Sequence, residues 1–370
     1  MTPATNSVSN GQVELITSSP SFGTSSVSVL VKRSYQIIPD SVAIRLDNDE
    51  AFRKIDEYYD DGDPETSTVK FESELASDKN WTDVVIVGEA YAAQGKPCHQ
   101  RQVSVGIANR LAVTLLVSGD RQCHHVPGGL PSFSDPQPFE VMPIRYERSY
   151  GGWDTKSDEK IPFWYPRNMQ GVGVVLNNVR EAVQGLRLPN IESAEHRLTP
   201  QNIFIGDPHR WHLQPLPQGL GWRQKTWFPR CGLIGARPPF LDAGATLREQ
   251  SMGWLPEDYA SLSLQQRLAP DHLKFANGAS FGLSFDDLRG DEPMHLHGLT
   301  PEGDLRFALP GDQPTIALDL GRGGEVLPTK LLTVLIEPSH LRLDMIWSGT
   351  HAIGEYRKWQ EVKNLVAEVA

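Results

Sequence analysis

The sequence is poor in cysteine, short of basic residues and free of long apolar runs. Its three cysteines, Cys98, Cys123 and Cys231, are odd in number and widely spaced over 370 residues. That usage argues against a disulfide framework and fits a reducing compartment. Lys and Arg total 35 against 46 Asp and Glu, giving a net charge of −11. So acidic a chain has no general attraction for phosphate backbones, and no direct nucleic-acid contact is expected. No apolar stretch approaches the ~20 residues of a membrane helix. The opening MTPATNSVSNGQ lacks the basic and apolar regions of a secretory leader. The expectation is a cytoplasmic protein without membrane insertion.

Catalytic signatures are also missing. There is no GxSxG elbow, no thiol-hydrolase signature and no CxxC pair. Gly321-Arg322-Gly323-Gly324 lacks the following Lys-Ser/Thr of a phosphate loop. DDGDPE at 60–65 lacks the spaced oxygens of a calcium loop and reads as a solvated acidic turn. Cys98-His99 and Cys123-His124-His125 lie too far apart to mark a zinc site. His209 and His212 give a similarly weak signal in a loop. The sharper signal is His295-Leu296-His297, whose alternation on a strand puts both imidazoles on one face. Hydrogen-bonded surface histidines explain it most simply. A metal site would need a third ligand, such as Asp291 or Glu292. No metal and no cofactor is therefore expected.

What is present is β patterning. Val27, Val29, Val31, Tyr35 and Ile37 share one parity, which predicts a half-buried strand. TDVVIVGEAYA reads as a buried strand ending at Gly88. Val103, Val105 and Ile107 pair with Val113, Leu115 and Val117 across a turn at Asn109-Arg110. Two further hairpins are centred on Thr300–Gly303 and on Glu337–His340. PEDYASLSLQQRLAPDHLKFANG is the best internal helix candidate. At the end, Tyr356, Trp359, Val362, Val366 and Val369 form a helical stripe. The expected fold is mainly β, a β-rich α+β protein with two β-sandwich-like lobes, long loops and a C-terminal amphipathic helix. Residues 1–25 read as a flexible tail, 26–150 as the N-terminal lobe, 151–350 as the C-terminal lobe and 351–370 as the helix.

The stretch IRYERSYGGWD, 144–154, concentrates two arginines, two carboxylates, three aromatics and a double glycine. Met142, Ile144 and Tyr146 alternate as a strand end, with Arg145 and Glu147 opposite. Arg145, Glu147 and Arg148 are candidates for an ion-pair network. Gly151 and Gly152 permit a sharp reversal, and Trp153 could cover it. None of these features requires a nucleophile or a general base. Trp153, Trp164, Trp222 and Trp227 are candidate partner anchors, since Trp and Arg are enriched in hot spots. Core packing accounts for each of them equally well.

YERSYGG, 146–152, resembles the signature of the bacterial family catalogued as domain of unknown function 2169. The likeness continues in order through 56–97, RNMQGVGV (167–174), LPNIE (188–192), GLGW (219–222), FANGAS (275–280), 288–310 and 331–349. Segment 236–270 departs from the family pattern, and Met169 stands where the family usually has proline. The resemblance adds Asn168, Gly171, Gly173, Pro189, Asn190, Trp222, Asp291 and Glu292 to the marked positions. It implies a non-enzymatic adaptor or chaperone of bacterial type VI secretion. Such a protein binds a secreted effector toxin and assists its loading onto the VgrG spike. An acidic carrier would suit a basic toxin such as a nuclease. The alternatives are a metal-dependent hydrolase using His295 and His297, and a carbohydrate-binding β-sandwich with Trp153, Trp164, Trp211 or Trp222 against sugar rings.

Overall fold

The computed structural model describes residues 12–18, 25–63, 65–76, 79, 81–154, 164–175, 180–203, 214–228, 230–233, 277–319, 324–354 and 366–369. The internal helix candidate, His209, Trp211, His212, 321–323 and 236–270 fall almost wholly outside these residues.

Two sheets dominate. The larger has seven strands, in the order Gln12–Ser18, Ser25–Gln36, Arg342–Gly354, Thr329–Glu337, Thr82–Ile86, Ser284–Phe285, with Ile44–Arg45 also pairing Ser25–Gln36. Its pairings are antiparallel except for Thr329–Glu337 against Thr82–Ile86, which is parallel. All five residues of Thr82–Ile86 are buried. A strand so placed is covered on both faces and reads as a continuous apolar run. The second sheet orders Ile191–Glu192, Arg110–Ser118, Gln100–Ile107, Pro293–His297 and Asp304–Ala308, antiparallel throughout.

Each sheet mixes strands from before and after Gly151-Gly152, so that chain position does not separate them. Their facing side chains share one core. Tyr35, Val84, Val334, Leu343 and Trp347 of the large sheet join Val103, Val105, Leu115, Leu296 and Phe307 of the second. Each such aliphatic side chain contributes about 1.5–3 kcal/mol when fully buried. A further core gathers Tyr150, Tyr165, Val174, Leu188, Leu198 and Phe228.

The mainly β expectation holds, and so do the hairpins. The turn after Ile107 lies one residue earlier than read from the sequence. Ala108 and Asn109 both have positive φ, 51° and 64°, as a two-residue hairpin of this twist requires.

Two expectations need correcting. Within the expected tail, Gln12–Ser18 forms a strand paired residue for residue with Ser26–Lys32, and Val13 is buried. Apolar Val13, Leu15 and Ile16 give that segment more to bury than its Ser- and Thr-rich surroundings suggest. Among the described residues the C-terminal amphipathic helix is not found. The Arg342–Gly354 strand runs through 351–354, and Val366–Val369 pairs with Ile316–Asp319 in a three-stranded sheet. Val366 and Val369 are β-branched, and pairing with a sheet edge overrides the weak helical spacing. Tyr356, Trp359 and Val362 lie outside the described residues. Among those described, no helix is long and apolar enough to cross a membrane.

Candidate functional site

The marked stretch is a joint, and its geometry starts with a tight turn. The short strand Val141–Pro143 pairs with Glu89–Tyr91, after which Tyr146–Arg148 forms one 3₁₀ turn. The strand-end alternation therefore stops before Tyr146. At about three residues per turn, successive side chains diverge by about 120°. For that reason Arg145, Glu147 and Arg148 do not pair with one another as the sequence suggested. Arg145 holds Asp60 with 2.9 Å contacts to both carboxylate oxygens and lies over the Tyr59 ring. Glu147 accepts from the Thr68 N–H at 2.6 Å and the Thr68 hydroxyl at 2.7 Å. Arg148 reaches Asn190 at 3.2 Å and Asp120 at 3.4 Å. The turn and the Arg145 that precedes it thus tie down four separate stretches of chain.

Tyr146 is the buried arm of the turn. Its ring meets Trp227 edge-on at 5.0 Å, and its hydroxyl shares a 2.8 Å hydrogen bond with the Ser280 hydroxyl. Burial pushes its phenol pKa up. Tyr150 repeats the arrangement against Tyr165, donating to Gln214 Oε1 at 2.8 Å.

Between the two tyrosines sits Asn168, fully buried. Its Nδ2 donates to the Tyr146 carbonyl at 2.8 Å and the Tyr150 carbonyl at 3.1 Å. The Gly152 N–H donates back to the Asn168 carbonyl at 2.8 Å. Backbones meet closely here because the contact residues have no side chain. A Cβ on Gly151 would lie 2.2 Å from the Asn168 carbonyl oxygen, and one on Gly171 would lie 2.5 Å from Asn168 Nδ2. Tyr150–Gly151 then pairs in parallel with Val172–Gly173, and Gly173 packs against Pro189. Replacing Asn168 with alanine leaves two buried carbonyls without their donor. Stability should fall by about 2–3 kcal/mol in a denaturant titration, from about 1 kcal/mol per lost bond plus desolvated acceptors.

The LPNIE segment docks beside the joint. Asn190 donates to the Ser118 carbonyl at 3.0 Å and to Asp120 at 2.9 Å. The Pro189 carbonyl accepts from Arg121, which also pairs with buried Glu192 at 2.5 Å. GLGW and FANGAS interlock in turn. Arg223 donates to the carbonyls of Ala279 and Asn277, and Trp222 bridges to Ala279. Asp83 receives Lys79, Asn277, Ser284 and the amides of Gly278 and Ala279, all between 2.9 and 3.2 Å. Trp222 and Trp227 are 3% and 1% exposed, so both are packing residues and present no surface to a partner. Trp153, 41% exposed and 5.5 Å from Trp164, does present one.

Glu292 is also structural, accepting from the backbone amides of Arg289 and Gly290, while Asp291 is exposed. Neither was found against the histidine pair. The carboxylate there is Asp304, directly opposite His297, with contacts of 2.7 Å to His295 and 3.0 Å to His297. Among the described residues no three His, Cys, Asp or Glu side chains form a metal-binding group.

Two buried charge clusters escaped sequence reading. Lys32, fully buried, contacts Glu74 at 2.8 Å and Asp344 at 3.4 Å, with Arg53 at 2.8 Å from Glu74. Glu72 meets Arg230 at 2.8 Å and Lys225 at 3.2 Å. Alternation alone assigns Lys32 and Asp344 to a solvent face, and the segment 49–74 that covers that face is remote in sequence. Burial alone would raise the carboxyl pKa values of Glu72 and Asp83. Arg230 and Lys79 respectively reverse this and hold them below their usual range. A carboxyl depressed on folding stabilises fully above its unfolded value, ~4. That stability is lost as pH falls through the folded value. Unfolding free energy should therefore be flat above pH ~5 and fall steeply below pH ~4. Asp83→Asn should lower the plateau and shrink the acid-side slope.

These features define a β-layered protein whose marked residues fix backbone geometry. The chain belongs to the family described as "Uncharacterized protein conserved in bacteria (DUF2169)", whose model matches residues 23–348. No curated protein and no solved structure matches it.

Proposed function

We propose that this protein is a non-enzymatic adaptor of the bacterial cytoplasm that binds a type VI secretion effector and assists its loading onto the VgrG spike. The observation that carries this reading is how the marked polar side chains are used. Tyr146, Glu147, Asn168, Asn190 and Glu292 direct their hydrogen bonds at backbone groups, at neighbouring hydroxyls, at Asp120 or at Arg148. Side chains committed in this way hold loops in register. The family likeness favours the adaptor class, and the charge of −11 favours a basic cargo.

Deleting the gene should remove one effector from the secreted fraction while secretion of other effectors continues. Undiminished delivery of every effector would contradict the reading. Cargo binding should weaken as salt rises, and salt-insensitive binding would remove the charge argument. The hydrolase alternative predicts a stoichiometric metal in the purified protein and the loss of turnover on replacing His295 or His297.

A further inference from the structure

The second sheet carries an open groove of about 850 Å³ on its outer face. That size falls within the ~300–1,000 Å³ of ligand sites. Four residues cross its floor in one hydrogen-bonded row, Leu111, Gly106, His295 and Arg306, one from each of four adjacent strands. Gly106 sits at a register shift in its strand and leaves the middle of the row without a side chain. Leu111 and His295, two strand spacings apart, therefore stand about 9–10 Å from each other across bare backbone. A glycine in a strand interior, at a bulge, is where another backbone can approach closely.

The walls state what would fit. Leu111 and Val42 are aliphatic yet 69% and 50% exposed. Val42 lies beside Ala308, whose N–H and C=O are taken by Ser41 and Ala43. The N–H and C=O of Val42 itself have no partner among the described residues. Arg306 is exposed and forms no ion pair among them, whereas Arg110, which also lines the groove, is held by Asp287 at 2.7 Å. Asp40 adds one carboxylate to the rim.

We propose that this groove binds an extended segment of the adaptor's protein partner, one with an acidic residue two positions from an aliphatic residue, so that both face the groove. The segment runs across the strands, with its aliphatic side chain over Gly106 beside Leu111. Its acid pairs with Arg306, two strand spacings further on, about 9–10 Å away. Val42 lies beyond Arg306 and offers a second apolar contact at the far end of the groove. The basic cargo argued above is compatible, because one local acid suffices.

This inference rests on the adaptor reading, and two measurements separate their failures. Random peptides displayed on phage are selected on the full-length protein, and the selected sequences are synthesised. They should combine Asp or Glu with Leu, Ile or Val. Binding by calorimetry should weaken at least about tenfold in Arg306→Glu or Leu111→Asp. A peptide with its acid changed to Arg should regain affinity for Arg306→Glu. Both substituted positions are exposed, so unchanged melting curves verify folding. Failure to select peptides, or equal binding by Arg306→Glu, overturns the groove. Capture of effector and spike by Arg306→Glu as by the unaltered chain also overturns it, while leaving the adaptor reading intact.

Discussion

Gly151→Ala is expected to cost about 2–6 kcal/mol or to leave no folded protein. The added Cβ would meet the Asn168 carbonyl oxygen at 2.2 Å, with the Cβ and Cγ of Asn168 also inside 3 Å. A carbonyl in a hydrogen-bonded backbone cannot rotate away as the end of a flexible side chain could. Overpacking of this kind costs about 1–3 kcal/mol or more, and holding a side chain at φ 153° adds about 1–3 kcal/mol. Against a stability of about 5–15 kcal/mol, that is a large fraction. Gly221→Ala is the control. Nothing lies within 4 Å of its Cβ, and the change should be neutral or stabilise by about 0.4–1 kcal/mol through the unfolded chain. Denaturant titration of the two variants checks both values. Equal effects would show that the joint is not the tight contact described.

Lys32→Met should be the most damaging charge removal, at about 3–5 kcal/mol. Lys32 is buried between Glu74 and Asp344, and without it Arg53 must neutralise both carboxylates, helped only by Arg342 at 3.5 Å from Asp344. Burial by itself would lower the Arg53 pKa, but Glu74 overrides this and raises it. The guanidinium is therefore already committed. Changing Glu74 to Leu in the same chain should recover part of the loss, since a buried pair replaced by apolar groups is often close to neutral. Arg145→Ala, which breaks a pair whose Asp60 is 72% exposed, should change stability by less than about 1 kcal/mol. A loss with Arg145→Ala as large as with Lys32→Met would contradict the assignment of which charges are structural.

Legibility from sequence followed the range of the interaction. The strand Ser25–Gln36 and the hairpins at 293–308 and 329–354 were readable because alternation is local and each pairs with a neighbour. The glycines of the joint were readable as a reversal, because residues without Cβ mark close approach or positive φ. The parallel pairing of Thr82–Ile86 with Thr329–Glu337 was not readable, since about 250 residues separate them. The burial of Lys32 and Asp344 was hidden for the same reason. The divergence of Arg145, Glu147 and Arg148 depended on a 3₁₀ turn that charge pattern does not announce. Asn168 was marked by family likeness alone. Its role is structural: its amide lies between the carbonyls of Tyr146 and Tyr150. The terminal stripe has helical spacing, yet its Val366 and Val369 lie in a strand, because β-branched residues serve either period.

The central claim is that the conspicuous side chains hold shape so that other proteins can be gripped. Affinity purification of the tagged, full-length protein from its native host, followed by quantitative mass spectrometry, tests this most directly. The account predicts recovery of one effector and the spike protein in near-stoichiometric amounts, lost when Gly151→Ala disrupts the joint. Recovery of the chain alone, together with turnover of a substrate that depends on one histidine or acid, would contradict it.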